Sequence, residues 1–160
     1  MSVRSRNIQA ARWLALLAPL ALMAGALGSQ FFGGLYPCEM CHWQRWPHYA
    51  AIALAVLSFL VPRTSARVAL VVLAGVAIAI SGAIGVFHAG VEYGWWQGIT
   101  GCSTPFSGGS ANMLDTIMKA PVIRCDVPQW TLAGISLAGY NAIFSLAAAL
   151  AIFVMVGKRT

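Results

Sequence analysis

Three stretches of this chain run without a charged residue for the thickness of a lipid bilayer. Residues 13–32 and 68–87 supply 20 positions each and residues 132–156 supply 25, where a spanning helix needs about 20 mostly apolar residues. A fourth run, residues 46–61, has 16. Trp43 and Arg45 extend it, because amphipathic side chains reach the interface; the competing reading of that segment is a buried helix of a soluble core. Composition settles the class. Only 9% of the 160 residues are charged and 59% are hydrophobic, against roughly a quarter charged in soluble domains. The net charge of +6 does not imply nucleic acid, because the basic residues sit between apolar runs and form no basic face. The expectation is an all-α membrane protein of one domain, a four-transmembrane-helix bundle. Its spans are expected at about 13–32, 44–61, 68–88 and 132–156. Arg4, Arg6 and Arg12 ahead of the first run, with Ala24-Gly25-Ala26 inside it, have the form of a signal peptide. The run continues past that point, which favours an uncleaved anchor.

The loops orient the bundle. Arg4, Arg6, Arg12, Arg63, Arg67, Lys158 and Arg159 fall on one side, seven of the ten basic residues. All four acids (Glu39, Glu92, Asp115, Asp126) fall on the other, with Arg45, Lys119 and Arg124. The positive-inside rule makes the first side cytoplasmic. Both termini are therefore expected inside, with loops of about 33–43 and 89–131 outside, in the periplasm of a bacterial inner membrane. Trp43, Trp46, Trp95, Trp96 and Trp130 lie on or beside that outer face, as an interfacial belt does.

All four cysteines belong to the outer loops: Cys38 and Cys41 in the first, Cys102 and Cys125 in the second. Thiols pair in such an oxidising compartment. The stretch Cys38-x-x-Cys41-His42 also has the form of a haem c attachment site, but haem leaves Cys102 and Cys125 without a task and needs a further axial ligand or an open site. Four-cysteine zinc sites use two closely spaced pairs; here the second pair encloses 22 residues. No strand–helix–strand unit supports a thioredoxin-like reading. Two inert structural disulfides on a non-enzymatic membrane scaffold remain as one reading, and a membrane-embedded thiol–disulfide relay as the other.

Local chemistry supports the relay. Pro47 is tolerated in the first turn of a helix, so the second span is expected to start near Trp43 with Cys41 at or just before it. A helix N-terminus and the nearby Arg45 charge would both stabilise a Cys41 thiolate. In the second loop, residues 94–109 are rich in Gly, Ser and Thr, read as mobile chain around Cys102. Residues 110–119 read as a short helix with Asp115 early, Lys119 late and Pro121 beyond. Its apolar stripe of Met113, Leu114, Ile117 and Met118 suits the membrane interface; a lid packed on the spans is the alternative. No internal repeat, phosphate loop, catalytic triad or carboxylate dyad is present.

The run PCEMCHWQR, with PCxxCxxQR spacing, resembles the first periplasmic loop of the DsbB family of disulfide bond formation proteins. The resemblance extends to His88 closing the third span, to Gly101-Cys102, to Cys125-Asp126-x-Pro128-x-Trp130, and to Leu132-Ala133-Gly134-Ile135-Ser136 through Asn141. It implies a membrane oxidoreductase that reoxidises a soluble periplasmic DsbA-like thiol oxidase and passes the electrons to the membrane quinone pool, ubiquinone or menaquinone, without a metal. The DsbA–DsbB–quinone system is a known route of periplasmic oxidation. By the same resemblance, the partner attacks Cys102 of a Cys102–Cys125 disulfide, Cys125 then attacks Cys38, and Cys41 leaves as the thiolate that serves the quinone. Ring carbonyls need donors and the tail needs apolar helix faces; Arg45, Gln44 and His88 all fall at the outer boundary. The rivals are an enzyme resembling vitamin K epoxide reductase and a thiol oxidase with one dedicated substrate. His42 and His48 carry no assigned role.

Overall fold

The computed structural model describes residues 3–100 and 123–158. Within them the chain forms α1 (Val3–Phe31), α2 (Glu39–Leu60), α3 (Thr64–Glu92), a two-stranded hairpin of β1 (Thr131–Leu132) and β2 (Ile135–Ser136), and α4 (Leu137–Gly157). Ser5–Phe31 of α1, together with α3 and α4, are long and apolar enough to cross a membrane. The polar residues in the first half of α2, among them Gln44, Arg45 and His48, keep it out of that set. Cys102 and the helix expected at 110–119 lie outside the described residues.

Small residues hold the bundle together. Ala11 and Ala15 of α1, Ala51 and Ala55 of α2, Ala74 and Ile78 of α3, and Ala149 and Ile152 of α4 form one buried cluster. Leu17, Leu57, Leu73 and Leu150 are exposed on the outward faces. Small residues inside and large ones outside are what helices in lipid use, since close approach, not exclusion of water, drives their association. The α3–α4 seam is the tightest. A Cβ on Gly85 would meet the Ala138 carbonyl oxygen and the Ala142 nitrogen at 3.0 Å, and one on Gly82 would meet Leu146 Cγ at 2.8 Å.

Two boundaries differ from the sequence expectation. α2 starts at Glu39, not near Trp43, so Pro47 lies inside the helix. A proline there leaves the preceding turn a hydrogen bond short. The carbonyl it leaves short is that of Trp43, four residues earlier; one residue further on, Ser81 Oγ of α3 donates to the Gln44 carbonyl at 2.8 Å and ties this turn of α2 to α3. α4 starts at Leu137, five residues into its apolar run. Ala133 and Gly134 take φ of 50° and 79°, a left-handed pair that closes a tight hairpin with Thr131 opposite Ser136. Ser136 then caps α4, its Oγ accepting from the Gly139 N–H at 3.1 Å.

Candidate functional site

The outer end of the bundle gathers the thiols. Cys38 is the N-cap of α2, and its sulfur accepts from the Cys41 N–H at 3.3 Å. One helical turn places the two sulfurs 2.8 Å apart. Cys41 is thus in the first turn of α2, ahead of the span expected at 44–61. The hydrogen bond from the Cys38 side chain holds the Cys41 thiol below its ordinary range, with a smaller contribution from the Arg45 charge and an opposing one from burial. The same bond, followed by burial, pushes Cys38 up. A shared proton of this kind favours Cys41 over Cys38 as the sulfur that carries the negative charge. The sequence assigned that stabilisation to the helix terminus and Arg45; in the structure the neighbouring thiol leads.

The second loop returns to the same place. The Sγ atoms of Cys38 and Cys125 and a ring nitrogen of His88 lie within 4.8 Å of one another. Cys38 and Cys125 are buried together with Met40, Val91 and Ile123. Gln129 Nε2 donates to the Tyr36 carbonyl, tying the two loops directly. Thiol and imidazole ligands also suit zinc; a closed site takes four ligands, and this group offers three among the described residues.

A cavity of about 240 Å³ opens beside the pair, lined by Cys41, Arg45, Gln44 and His88, with Met23 of α1 and Phe144 of α4 on its apolar walls. The three expected donors therefore share one wall, but their polar atoms are engaged differently. Arg45 Nη1 and Nη2 donate across to α1, to Gln30 Oε1 at 2.6 Å and the Ala26 carbonyl at 3.3 Å. Gln44 Nε2 lies 2.7 Å from His88 Nδ1, and His88 Nε2 lies 3.6 Å from Cys38 Sγ. Gln44 and His88 are bound to each other, and His88 to the thiol; Arg45 and, from the second loop, Arg124 bring positive charge to the cavity wall.

Sequence reasoning missed Glu92 and Asn141. The Glu92 carboxylate accepts a hydrogen bond from Ser136 Oγ and lies 3.7 Å from His88 Nε2. Asn141 of α4 joins Gln44 and His48. The available signal was a polar residue inside an otherwise apolar span, which marks a functional position by default.

The family profile described as disulfide bond formation protein DsbB matches residues 8–155. The chain belongs to the DsbB family. Membership makes it a membrane protein of disulfide bond formation with disulfide oxidoreductase activity. It is 29% identical to disulfide bond formation protein B of Marinobacter nauticus, over 92% of this chain and 93% of that one. It is 30% identical to disulfide bond formation protein B of a Polaromonas species, over 91% and 88% of the two chains. No solved structure matches the chain.

Proposed function

We propose that this DsbB-family protein crosses the bacterial inner membrane four times, with both termini in the cytoplasm. In this reading it reoxidises a soluble periplasmic DsbA-like dithiol protein at the expense of a membrane quinone. The observation that carries the proposal is the meeting of Cys125 with Cys38 while Cys41, its sulfur 2.8 Å from that of Cys38, forms part of the cavity wall with Arg45. A thiolate of the reduced partner attacks Cys102 of the Cys102–Cys125 disulfide, and Cys125 leaves as a thiolate. The partner's second thiol resolves the mixed disulfide and frees Cys102. Cys125 then attacks Cys38, and Cys41 departs as the stabilised thiolate. Each exchange breaks one S–S bond and forms another, so only the location of the electron pair changes.

The cavity suits a quinone by the chemistry of its lining, with a guanidinium for a ring oxygen, a thiolate beside it and apolar faces of α1 and α4 for a tail. A quinone bound there supplies the sink for two electrons and two protons. Arg45 orients it and holds negative charge near Cys41.

The deciding experiment combines purified protein, a reduced dithiol protein and a soluble quinone. Catalysed quinone reduction, with no haem band in the same spectrum, is expected; no turnover would leave a membrane scaffold with structural disulfides. Loss of a charge-assisted hydrogen bond is worth about 1.5–3 kcal/mol, so Arg45→Ala should raise the apparent quinone KM roughly ten- to a hundredfold. Arg45→Lys keeps the charge without the planar fork and should fall between. An Arg45→Ala protein with wild-type KM would make Arg45 an anchor to α1 and misplace the quinone.

A further inference from the structure

A buried hydrogen-bond chain crosses three helices, and the thiol exchange above uses only its last member. It runs from His48 on α2 to Asn141 on α4, back to Gln44 on α2, to His88 on α3, and ends at Cys38. The direction of every bond in it can be fixed, because backbone carbonyls only accept. Asn141 Nδ2 lies 3.2 Å from the Ser81 carbonyl, which identifies that end of the amide as its NH2 group, and the same nitrogen donates to Gln44 Oε1 at 2.8 Å. Gln44 Nε2 lies 3.3 Å from the Met40 carbonyl, which again identifies a donor, and its other hydrogen meets His88 Nδ1 at 2.7 Å. Nδ1 must therefore accept. The hydrogen of the neutral ring is on Nε2, the nitrogen facing Cys38 Sγ at 3.6 Å and Glu92 Oε1 at 3.7 Å, and the Cys125 backbone is a further acceptor for the ring.

The far end agrees. Asn141 Oδ1, left as the acceptor, takes hydrogen bonds from His48 Nε2 at 2.9 Å and Ser145 Oγ at 3.1 Å. His48 Nδ1 is buried without a partner among the described residues. A bare ring nitrogen there is less costly than an N–H with nothing to accept it.

We propose that Asn141 is a positioning residue for the thiol chemistry: acting through Gln44, it holds His88 as the Nε2–H tautomer, so that the ring presents a donor, and never a lone pair, to the Cys38 sulfur. The second nitrogen of a histidine commonly sets what the first one does. Here the setting comes from a helix distant in sequence. The donor stabilises negative charge on Cys38 whenever that sulfur is attacked or released, so the functional consequence rests on the proposed role of Cys38 in exchange. The tautomer itself does not.

Nitrogen-15 NMR of the histidine-labelled full chain in lipid nanodiscs tests it, with the three histidines assigned by single His→Gln variants. In the wild type the neutral His88 ring should carry its hydrogen on Nε2. Asn141→Asp replaces the amide donor by an acceptor of nearly the same shape. Gln44 must then turn its NH2 toward the new carboxylate and its oxygen toward His88, moving the ring hydrogen to Nδ1. Gln44→Glu removes the donor at Nδ1 directly and should give the same reversal, which keeps the test decisive if the first variant does not fold. Both reversals should accompany a fall of roughly tenfold or more in kcat for quinone-dependent reoxidation, with little change in KM. A wild-type His88 on the Nδ1–H tautomer would overturn the proposal. So would a slowed variant whose His88 tautomer is unchanged, since Asn141 would then only be packing α4.

Discussion

Cys38 is a cap, an acid and a target at one sulfur. As the α2 N-cap it accepts from the Cys41 N–H, as a thiol it donates to Cys41, and it faces Cys125, the sulfur proposed to attack it. The acid role predicts a pH signature. Because the Cys38 side chain is the largest influence lowering Cys41, alkylation of Cys41 in the reduced wild type should persist below the ordinary thiol range and fade only as pH drops through that lowered value. In Cys38→Ala the midpoint should move up and the rate near neutral pH fall. In Arg45→Ala it should move less, the Arg45 charge being the smallest of the influences. Glu92→Gln should move it down, because the Glu92 charge opposes the Cys41 thiolate. Mass spectrometry of the Cys41 peptide across pH measures all three, and a larger shift in Arg45→Ala than in Cys38→Ala would refute this ordering. The thiols were legible in the sequence because their spacing is local: one helical turn joins Cys38 to Cys41. The chain through Asn141 was not. Its bond to Gln44 spans 97 positions, and no local pattern tells which polar residue of one span meets which of another.

At the scale of the element, the hydrophobic runs located α1, α3 and α4, because length and polarity decide what crosses a bilayer. They mislocated two helix starts, and for opposite reasons. The rule that keeps proline to a first turn failed at Pro47 because the Cys38 cap starts α2 two turns earlier, and helices packed in a membrane bundle tolerate an interior proline. The apolar run before α4 was read as helix although Ala133 and Gly134 take left-handed φ, and hydropathy carries no information about φ. The hairpin they close matters to the site: Tyr93 at the end of α3 accepts from the Ser136 N–H at 2.9 Å and donates to the Gly134 carbonyl at 3.1 Å, fixing where α4 begins and so where Asn141 sits. The α3–α4 seam fixes its depth. A Cβ on Gly85 would meet the α4 backbone and Asn141 Nδ2 at 3.0–3.1 Å, so Gly85→Val pushes chiefly against backbone. Overpacking of this kind costs on the order of 1–3 kcal/mol. The expected outcome is a lower Tm in detergent and slower thiol reoxidation together. Val76→Leu, on an exposed position of the same helix, should change neither. A Gly85→Val protein with wild-type Tm and rate would show that the seam has slack and that Asn141 is not held by it.

The whole molecule separates a framework end from a chemical end. At the end read as cytoplasmic, Arg12 is buried: it donates to the Ser58 carbonyl at 3.0 Å and to Gln9 Oε1 at 2.7 Å, and lies 4.1 Å from the Phe59 ring centroid. A residue read from sequence as a flanking charge is thus a strut between α1 and α2. At the opposite end two loops, distant in the chain, bring Cys125 to Cys38 above the cavity. In the proposed division of labour, the second loop meets the protein partner and the first pair serves the membrane acceptor, with the Cys125–Cys38 exchange as the only covalent link between them. Cutting the chain of exchange at its outermost thiol should then separate two activities normally seen as one. Cys102→Ala should abolish oxidation of a reduced dithiol protein. After chemical reduction, the same protein should still re-form its Cys38–Cys41 disulfide with a soluble quinone at close to the wild-type rate, because neither thiol nor the Arg45 wall of the cavity depends on Cys102. Cys41→Ala should show the complementary pattern: no reoxidation by quinone, but a single partner molecule oxidised per chain at the expense of the Cys102–Cys125 disulfide. Stopped-flow quinone absorbance and non-reducing electrophoresis read the two halves independently. If Cys102→Ala loses both activities equally, the loops work as one unit and the relay is not divisible at Cys125.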